Sequence, residues 1–311
     1  MFISKHSAST MGDSKRVQIR VREPEPVSPR RRVLLAAGAY AALLYGCSAP
    51  GSADAGALAQ GVVWQLDDDH ANPHGDWNRL GVTDLLVQWT AVDGTSFLPG
   101  TAMQTAQRLP DWTRIAGEPW ARNVIVGLAG RFDETAARAQ AAQLVEQSKQ
   151  LVAVRPPVHI DGYYFPVEVD PTWKDAAALA SLLNKLPRPL WISVYDNSNI
   201  GGPALAAWLD GWLPHDVGVF LQDGCGVYAR GPAVAREYAD ALAARLGKNR
   251  VRIIAEAFRP AQGGAFRAAT AAELSPQLLA YRGYRTYLFD GPHYVSAQLV
   301  QDLLGTQQAQ K

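Results

Sequence analysis

The chain has 311 residues, 48% of them hydrophobic and 19% charged, with a formal net charge of +1. This composition excludes a disordered, collagen-like or basic-arm protein and allows a core of full domain size. Two cysteines cannot build a disulfide framework in a chain this long, and nine tryptophans with eleven tyrosines supply core rings first and ligand platforms second.

Charge is unevenly distributed. Eight of the 30 basic residues precede residue 33, against only Asp13, Glu23 and Glu25, whereas from Cys47 onward 22 basic residues face 26 acidic ones. A mildly acidic body gives no reason to expect nucleic acid as a partner. Arg30-Arg31-Arg32 precedes an apolar run, Val33 to Leu44, and then Tyr45-Gly46-Cys47. This is the order of a charged n-region, an apolar h-region and a cleavage site, and the run is short for a membrane span. Leu44-Tyr45-Gly46-Cys47 resembles the bacterial lipobox. The resemblance implies cleavage before Cys47, lipidation of its thiol, and a periplasmic protein anchored to a membrane, the outer one in preference to the inner. An ordinary secretory signal with an incidental cysteine is the alternative, Arg30-Arg31 also permits twin-arginine export, and Met11 is a second candidate start. Residues 1–46 are therefore read as a leader and the small, polar stretch 47–60 as a flexible tether.

Cleavage before Cys47 leaves 265 residues, close to the roughly 250 of a single (β/α)₈ barrel. Eight short apolar runs follow in chain order: Val62–Leu66, Asp84–Trp89, Asn123–Leu128, Val158–Phe165, Leu190–Tyr195, Val217–Gln222, Arg250–Ala255 and Arg285–Phe289. Most are continuously apolar, as strands of a parallel sheet buried on both faces must be. Helix starts lie between them. Asp133-Glu134 opens a segment reaching about Val154, and Asp170-Pro171 opens another with Asp as N-cap. Gly202-Pro203, Gly231-Pro232 and Gly291-Pro292 open three more, the last two ending near Gly247 and Gly305. The intervals 71–80 and 101–120 are poorer in helix signals. The expectation is an α/β chain with one (β/α)₈ barrel over 61–305 and a disordered tail at 306–311, an open doubly wound sheet being the alternative.

In such a barrel chemistry sits at the C-terminal strand ends. Polar residues gather there: Asp67, Asp68, Asp69 and His70 after strand one, Gln88 and Trp89 after strand two, Glu168 and Asp170 after strand four. Tyr195 and Asn197 follow strand five, Gln222 and Asp223 strand six, Glu256 strand seven and Asp290 strand eight. Glu256 stands in an otherwise apolar run, where an unpaired carboxylate is costly and therefore needs a partner or a task. Cleavage of a glycosidic bond needs two carboxyls, one protonated toward the leaving oxygen and one ionised.

A carboxylate after strand four and another ending strand seven resemble the clan of retaining glycosidases built on (β/α)₈ barrels. The resemblance implies Glu168 as acid/base and Glu256 as nucleophile; where that clan has Asn before its acid/base glutamate, this chain has Val167. Four segments further resemble a bacterial domain-of-unknown-function family (number 4434) of glycosidase-like barrels. They are Trp77 with Leu80-Gly81-Val82-Thr83-Asp84-Leu85-Leu86-Val87-Gln88-Trp89-Thr90, Asp161-Gly162-Tyr163-Tyr164-Phe165-Pro166-Val167-Glu168-Val169-Asp170, Leu221-Gln222-Asp223-Gly224, and Glu256-Ala257-Phe258. This implies a glycosidase-like barrel, often exported, without an established substrate.

Expected sugar contacts are Trp64, Asp67, Gln88, Trp89, Tyr164, Tyr195, Asn197, Gln222 and Asp223, with Asp223 also a candidate acid or a simple turn cap. Cys225 is read as a small filler. No cofactor and no metal is expected, since Asp67, Asp68, Asp69, His70 and His74 lack a paired ligand spacing. Three readings remain open: a retaining glycoside hydrolase, a non-catalytic glycan-binding or assembly lipoprotein on the same barrel, and a metal-dependent hydrolase using the strand-one loop.

Overall fold

The computed structural model describes residues 57–309, so the leader, Cys47 and most of the tether lie outside the described residues. Eight parallel strands close a barrel: β1 (Gly61–Trp64), β2 (Asp84–Val87), β3 (Asn123–Gly127), β4 (Ile160–Val169), β5 (Leu190–Val194), β6 (Val217–Gln222), β7 (Val251–Glu256) and β8 (Thr286–Phe289). Each pairs with its sequence neighbours, and β8 closes on β1 through Gly61 opposite Tyr287. The expected fold class holds.

Side-chain parity divides the core into two apolar clusters. Val63, Leu86, Ile125, Tyr164, Trp191, Phe220, Ile254 and Tyr287 fill the barrel interior. Their neighbours one residue away, such as Val62, Trp64, Leu85, Phe165, Ile192 and Val219, pack outward against the surrounding layer. Successive side chains point to opposite faces of a strand, so a run buried on both faces feeds both clusters.

The N-terminal end of the barrel is closed by a polar plug. Arg252 lies 3.8 Å from the Trp191 ring centroid and donates to the Tyr287 hydroxyl, which donates to Asp84. Arg285 pairs with the same Asp84 oxygen at 2.6 Å. Gly61 and Gly218 make room for this layer, because a Cβ at either would overlap the ring of Tyr287 or Trp191 respectively.

Helices form the outer ring: α1 (Trp112–Ala116), α2 (Glu134–Ala139), α3 (Ala141–Val154), α4 (Leu179–Leu183), α5 (Gly202–Asp210), α6 (Pro232–Leu246), α7 (Ala271–Ala280), α8 (Gly291–Tyr294) and α9 (Ala297–Ala309). None of the described helices is long and apolar enough to cross a membrane. The β2 and β3 ends carry a small sheet of two-residue strands at 91–92, 95–96, 104–105 and 129–130, and the β2–β3 connection has only the five-residue α1 as its α-helix.

Four expectations are corrected. Residues 58–60 are not tether: Leu58 and Ala59 donate to the Leu80 carbonyl and Gln60 to that of Thr286. Residues 306–309 are the last turn of α9 and not a loose tail. Asp170 does not cap a helix; it accepts from Thr172 and from the Asn197 amide, tying the β4 and β5 loops, while α4 starts only at Leu179. The segment from Gly291 splits into α8 and α9, and α9 runs through Gly305.

Candidate active site

Continuation of the inward parity past the strand ends brings Gln88, Glu168, Tyr195, Gln222 and Glu256 together at the open end. A narrow pocket is lined by Gln88, Tyr164, Glu168, Ser193, Gln222 and Phe289 among others, and Glu256 and Tyr195 are not among its lining residues. Glu168 and Glu256 come from β4 and β7 and are both buried. Gln222 donates its side-chain amide to Glu168 Oε2, and Tyr164 below donates its hydroxyl to Ser193 at 2.8 Å. Tyr195 is sensitive to the charge of both glutamates, and its phenol is pushed up to about 12, first by burial and then by Glu256.

Glu256 is held from one side. The Gly226 amide donates to its Oε2 at 2.6 Å, while Oε1 is buried with no hydrogen-bond partner among the described residues. A buried acceptor left unpaired costs about 1–3 kcal/mol, a cost that a proton on Glu256 reduces. Burial, followed by the neighbouring Asp223 carboxyl and, more weakly, Glu168, pushes Glu256 up to about 8.

Asp223 occupies the layer behind. It is fully buried and accepts from the Cys225 and Glu256 amides through Oδ1, and from Gln277 and Tyr281 through Oδ2. Burial raises Asp223 as well, but its hydrogen bonds to Cys225, Gln277, Tyr281 and Glu256 favour the ionised form. Glu256 has a single such donor, and the two carboxyls, both raised first by burial, titrate as a coupled pair. Helix α7 supplies this support: its capping box at Thr270 and Glu273 fixes the first turn, and Arg259 holds the Gln277 carbonyl oxygen so that the amide faces Asp223.

Arg230 locks the loops after β5 and β6. Its guanidinium lies over Tyr195 and Tyr238, at 5.3 and 4.9 Å, and donates to the Asp196 and Asp223 carbonyls and to Asn199. These contacts fix the backbone that carries Gln222 and Gly226.

At the adjacent rim, Asp67 accepts from the His70 amide and stands 3.0 Å from His70 Nδ1 and 3.3 Å from His293 Nε2. His293 Nδ1 in turn meets the fully buried Asp290 at 2.8 Å. Burial would lower His293, but the two carboxylates outweigh it and raise the imidazole to about 10; burial would raise Asp67, but the histidine contacts bring it down to about 2.

Several expected sugar contacts are placed elsewhere. Trp64 faces outward, packed 5.6 Å from Trp112 with its N–H on the His70 carbonyl, and so cannot stack on a ligand in the mouth. Trp89 is also fully buried, its N–H on Leu66 and its ring edge-on to Phe132. Asp223 has its acceptor positions filled by protein and is a positioning group for Glu256 and not a sugar ligand. Tyr164 lies below the glutamates as part of the pocket wall. Asn197 is exposed on the β5 loop. Cys225 is buried against Tyr281, and burial pushes its thiol up, as suits a filler.

Sequence reasoning missed His293, Arg230, Gln277 and Tyr281. Only His293 carried a signal, since Asp290-Gly291-Pro292-His293 places a histidine on the first turn after a barrel strand.

A closed (β/α)₈ barrel with buried carboxyls at the C-terminal ends of its strands is thus the class that the fold defines. No family model matches the chain, and no curated protein matches it in sequence. A solved structure similar to this chain is a "putative alpha-L-fucosidase" from Bacteroides thetaiotaomicron VPI-5482, at 15% identity and a TM-score of 0.58, covering 87% of this chain and 97% of that one. At that identity the likeness is one of fold.

Proposed function

We propose that this chain is a glycoside hydrolase of the retaining (β/α)₈ type, exported and anchored through Cys47, acting on an envelope or extracellular glycan. What supports the reading is that Glu168 on β4 and Glu256 on β7 are both buried and feel each other's charge, with Oε1 of Glu256 lacking a hydrogen-bond partner among the described residues. The description of the Bacteroides neighbour as a fucosidase agrees with a glycosidic substrate, as does the resemblance to family 4434. In this reading Glu168 protonates the leaving oxygen and later activates water, and Glu256 attacks the anomeric carbon after losing its proton. In the same reading Gln88, Tyr195 and Gln222 meet sugar hydroxyls.

The test is release of reducing ends from a panel of bacterial polysaccharides and aryl glycosides. Glu168→Gln and Glu256→Gln are expected to lower turnover by about 10²–10⁴-fold with unchanged circular dichroism. Full activity in both variants removes the glutamate pair from the mechanism.

A second reading is a non-catalytic glycan-binding lipoprotein. It is favoured by Val167, which is fully buried in the outward cluster where the glycosidase clan has Asn. Glycan binding unaffected by Glu256→Gln, with no new reducing ends, selects it.

A further inference from the structure

The strand-one loop lacked a paired ligand spacing because the missing partner is distant in sequence. Folding brings His293 of α8 against Asp67 and His70, so that ligand atoms of all three lie within 4.8 Å of one another. The two imidazole centroids are 3.8 Å apart, and the three side chains are a quarter to a third exposed at the rim.

We propose that Asp67, His70 and His293 bind one divalent transition cation, zinc by preference. Asp67 Oδ2 and His293 Nε2 are 3.3 Å apart, about the edge length of a tetrahedron with metal bonds of about 2.0–2.1 Å. A two-nitrogen, one-carboxylate donor set suits zinc, cobalt or nickel and disfavours calcium and magnesium, which take oxygen. Three protein ligands on a partly exposed rim leave a coordination position for water or a ligand.

Asp290 supplies the supporting interaction. It is fully buried and contacts Nδ1 of His293, while its Oδ2 also accepts from the Gln65 amide at 2.9 Å. A carboxylate behind the distal nitrogen fixes the ring and directs Nε2 toward Asp67, as it orients metal-bound histidines. Asp68, Asp69 and His74 take no part, being exposed, with Asp69 paired to Arg108 at 3.7 Å. This site is independent of the glutamate pair and of the reading built on it.

The experiment is calorimetric titration of the chelator-treated full chain with zinc chloride, and absorption spectroscopy with cobalt(II) as a probe of geometry. One equivalent is expected to bind at micromolar Kd or tighter, and cobalt to give visible d–d bands of a low-coordinate nitrogen and oxygen site. His293→Ala and Asp67→Asn should each abolish saturable binding, and Asp290→Asn should weaken it by about 10–100-fold, with circular dichroism confirming the fold of each. Wild-type binding weaker than about 1 mM, or unchanged binding in folded His293→Ala, overturns the site.

Discussion

The amide of Gly226 donates to Oε2 of Glu256 at 2.6 Å, an approach so close that a Cβ at residue 226 would be crowded by the same glutamate. A Cβ at residue 226 would stand 2.8 Å from that same oxygen and 2.7 Å from the Phe258 ring. The β6 loop therefore positions the carboxyl that ends β7, while burial, first, and then Asp223 raise its hold on a proton.

Gly226→Ala is expected to push the amide off Glu256 and lower kcat/KM by at least about 10-fold, with a stability loss of about 1–3 kcal/mol from overpacking. Steady-state kinetics and urea unfolding measure the two separately. Wild-type kinetics in this variant would mean that the contact does not position Glu256.

The pH profile follows from Glu256 being pushed up to about 8. A nucleophile must be ionised, so kcat/KM rises as pH increases through about 8, and Asp223→Asn, by removing the neighbouring charge, moves that limb to lower pH. A rate that instead falls above pH 8 would assign the acid's part to Glu256.

Stability carries the same linkage. The folded state holds the Glu256 proton more tightly than the unfolded chain, whose value is near 4.5. Its contribution is therefore most favourable below about pH 4.5 and is lost as pH rises toward 8. Glu256→Gln has no charge to bury, so it should melt above wild type at pH 8 and near it at pH 5, by about 2–4 °C for each kcal/mol recovered. Calorimetry across this range decides it, and a Gln variant less stable than wild type at pH 8 would contradict the raised value.

At the closed end, Gly218→Ala drives a methyl into the Trp191 ring that carries Arg252. The expected cost is about 1–3 kcal/mol or more. The double variant Gly218→Ala with Trp191→Leu should recover part of it, because the two changes share one space. Strict additivity in that cycle would place the strain elsewhere.

The barrel was legible because its strands are continuous apolar runs separated by Asp, Gly and Pro signals, features that local chemistry writes into the chain. Val217–Gln222 agrees with the observed strand at both ends, and the other seven agree to within a few residues. Glu256 was legible for the related reason that a carboxylate inside such a run is costly. Which face each residue takes was not legible. In a strand buried on both faces, Trp64 and Val63 are equally apolar neighbours, and only barrel closure sends Val63 inward and Trp64 out to Trp112.

The sequence by itself determined the eight strands, their order and the two glutamates at strand ends. Tertiary structure decided everything that depends on distant partners. Asp223 reads as a mouth residue until Gln277 of α7 and Tyr281 just beyond it cover it, and Asp67 with His70 reads as a solvated loop until His293 arrives from the far end of the chain. The physical reason is that a strand's periodicity is local, whereas a buried polar group is satisfied by whichever donor the closed barrel brings beside it.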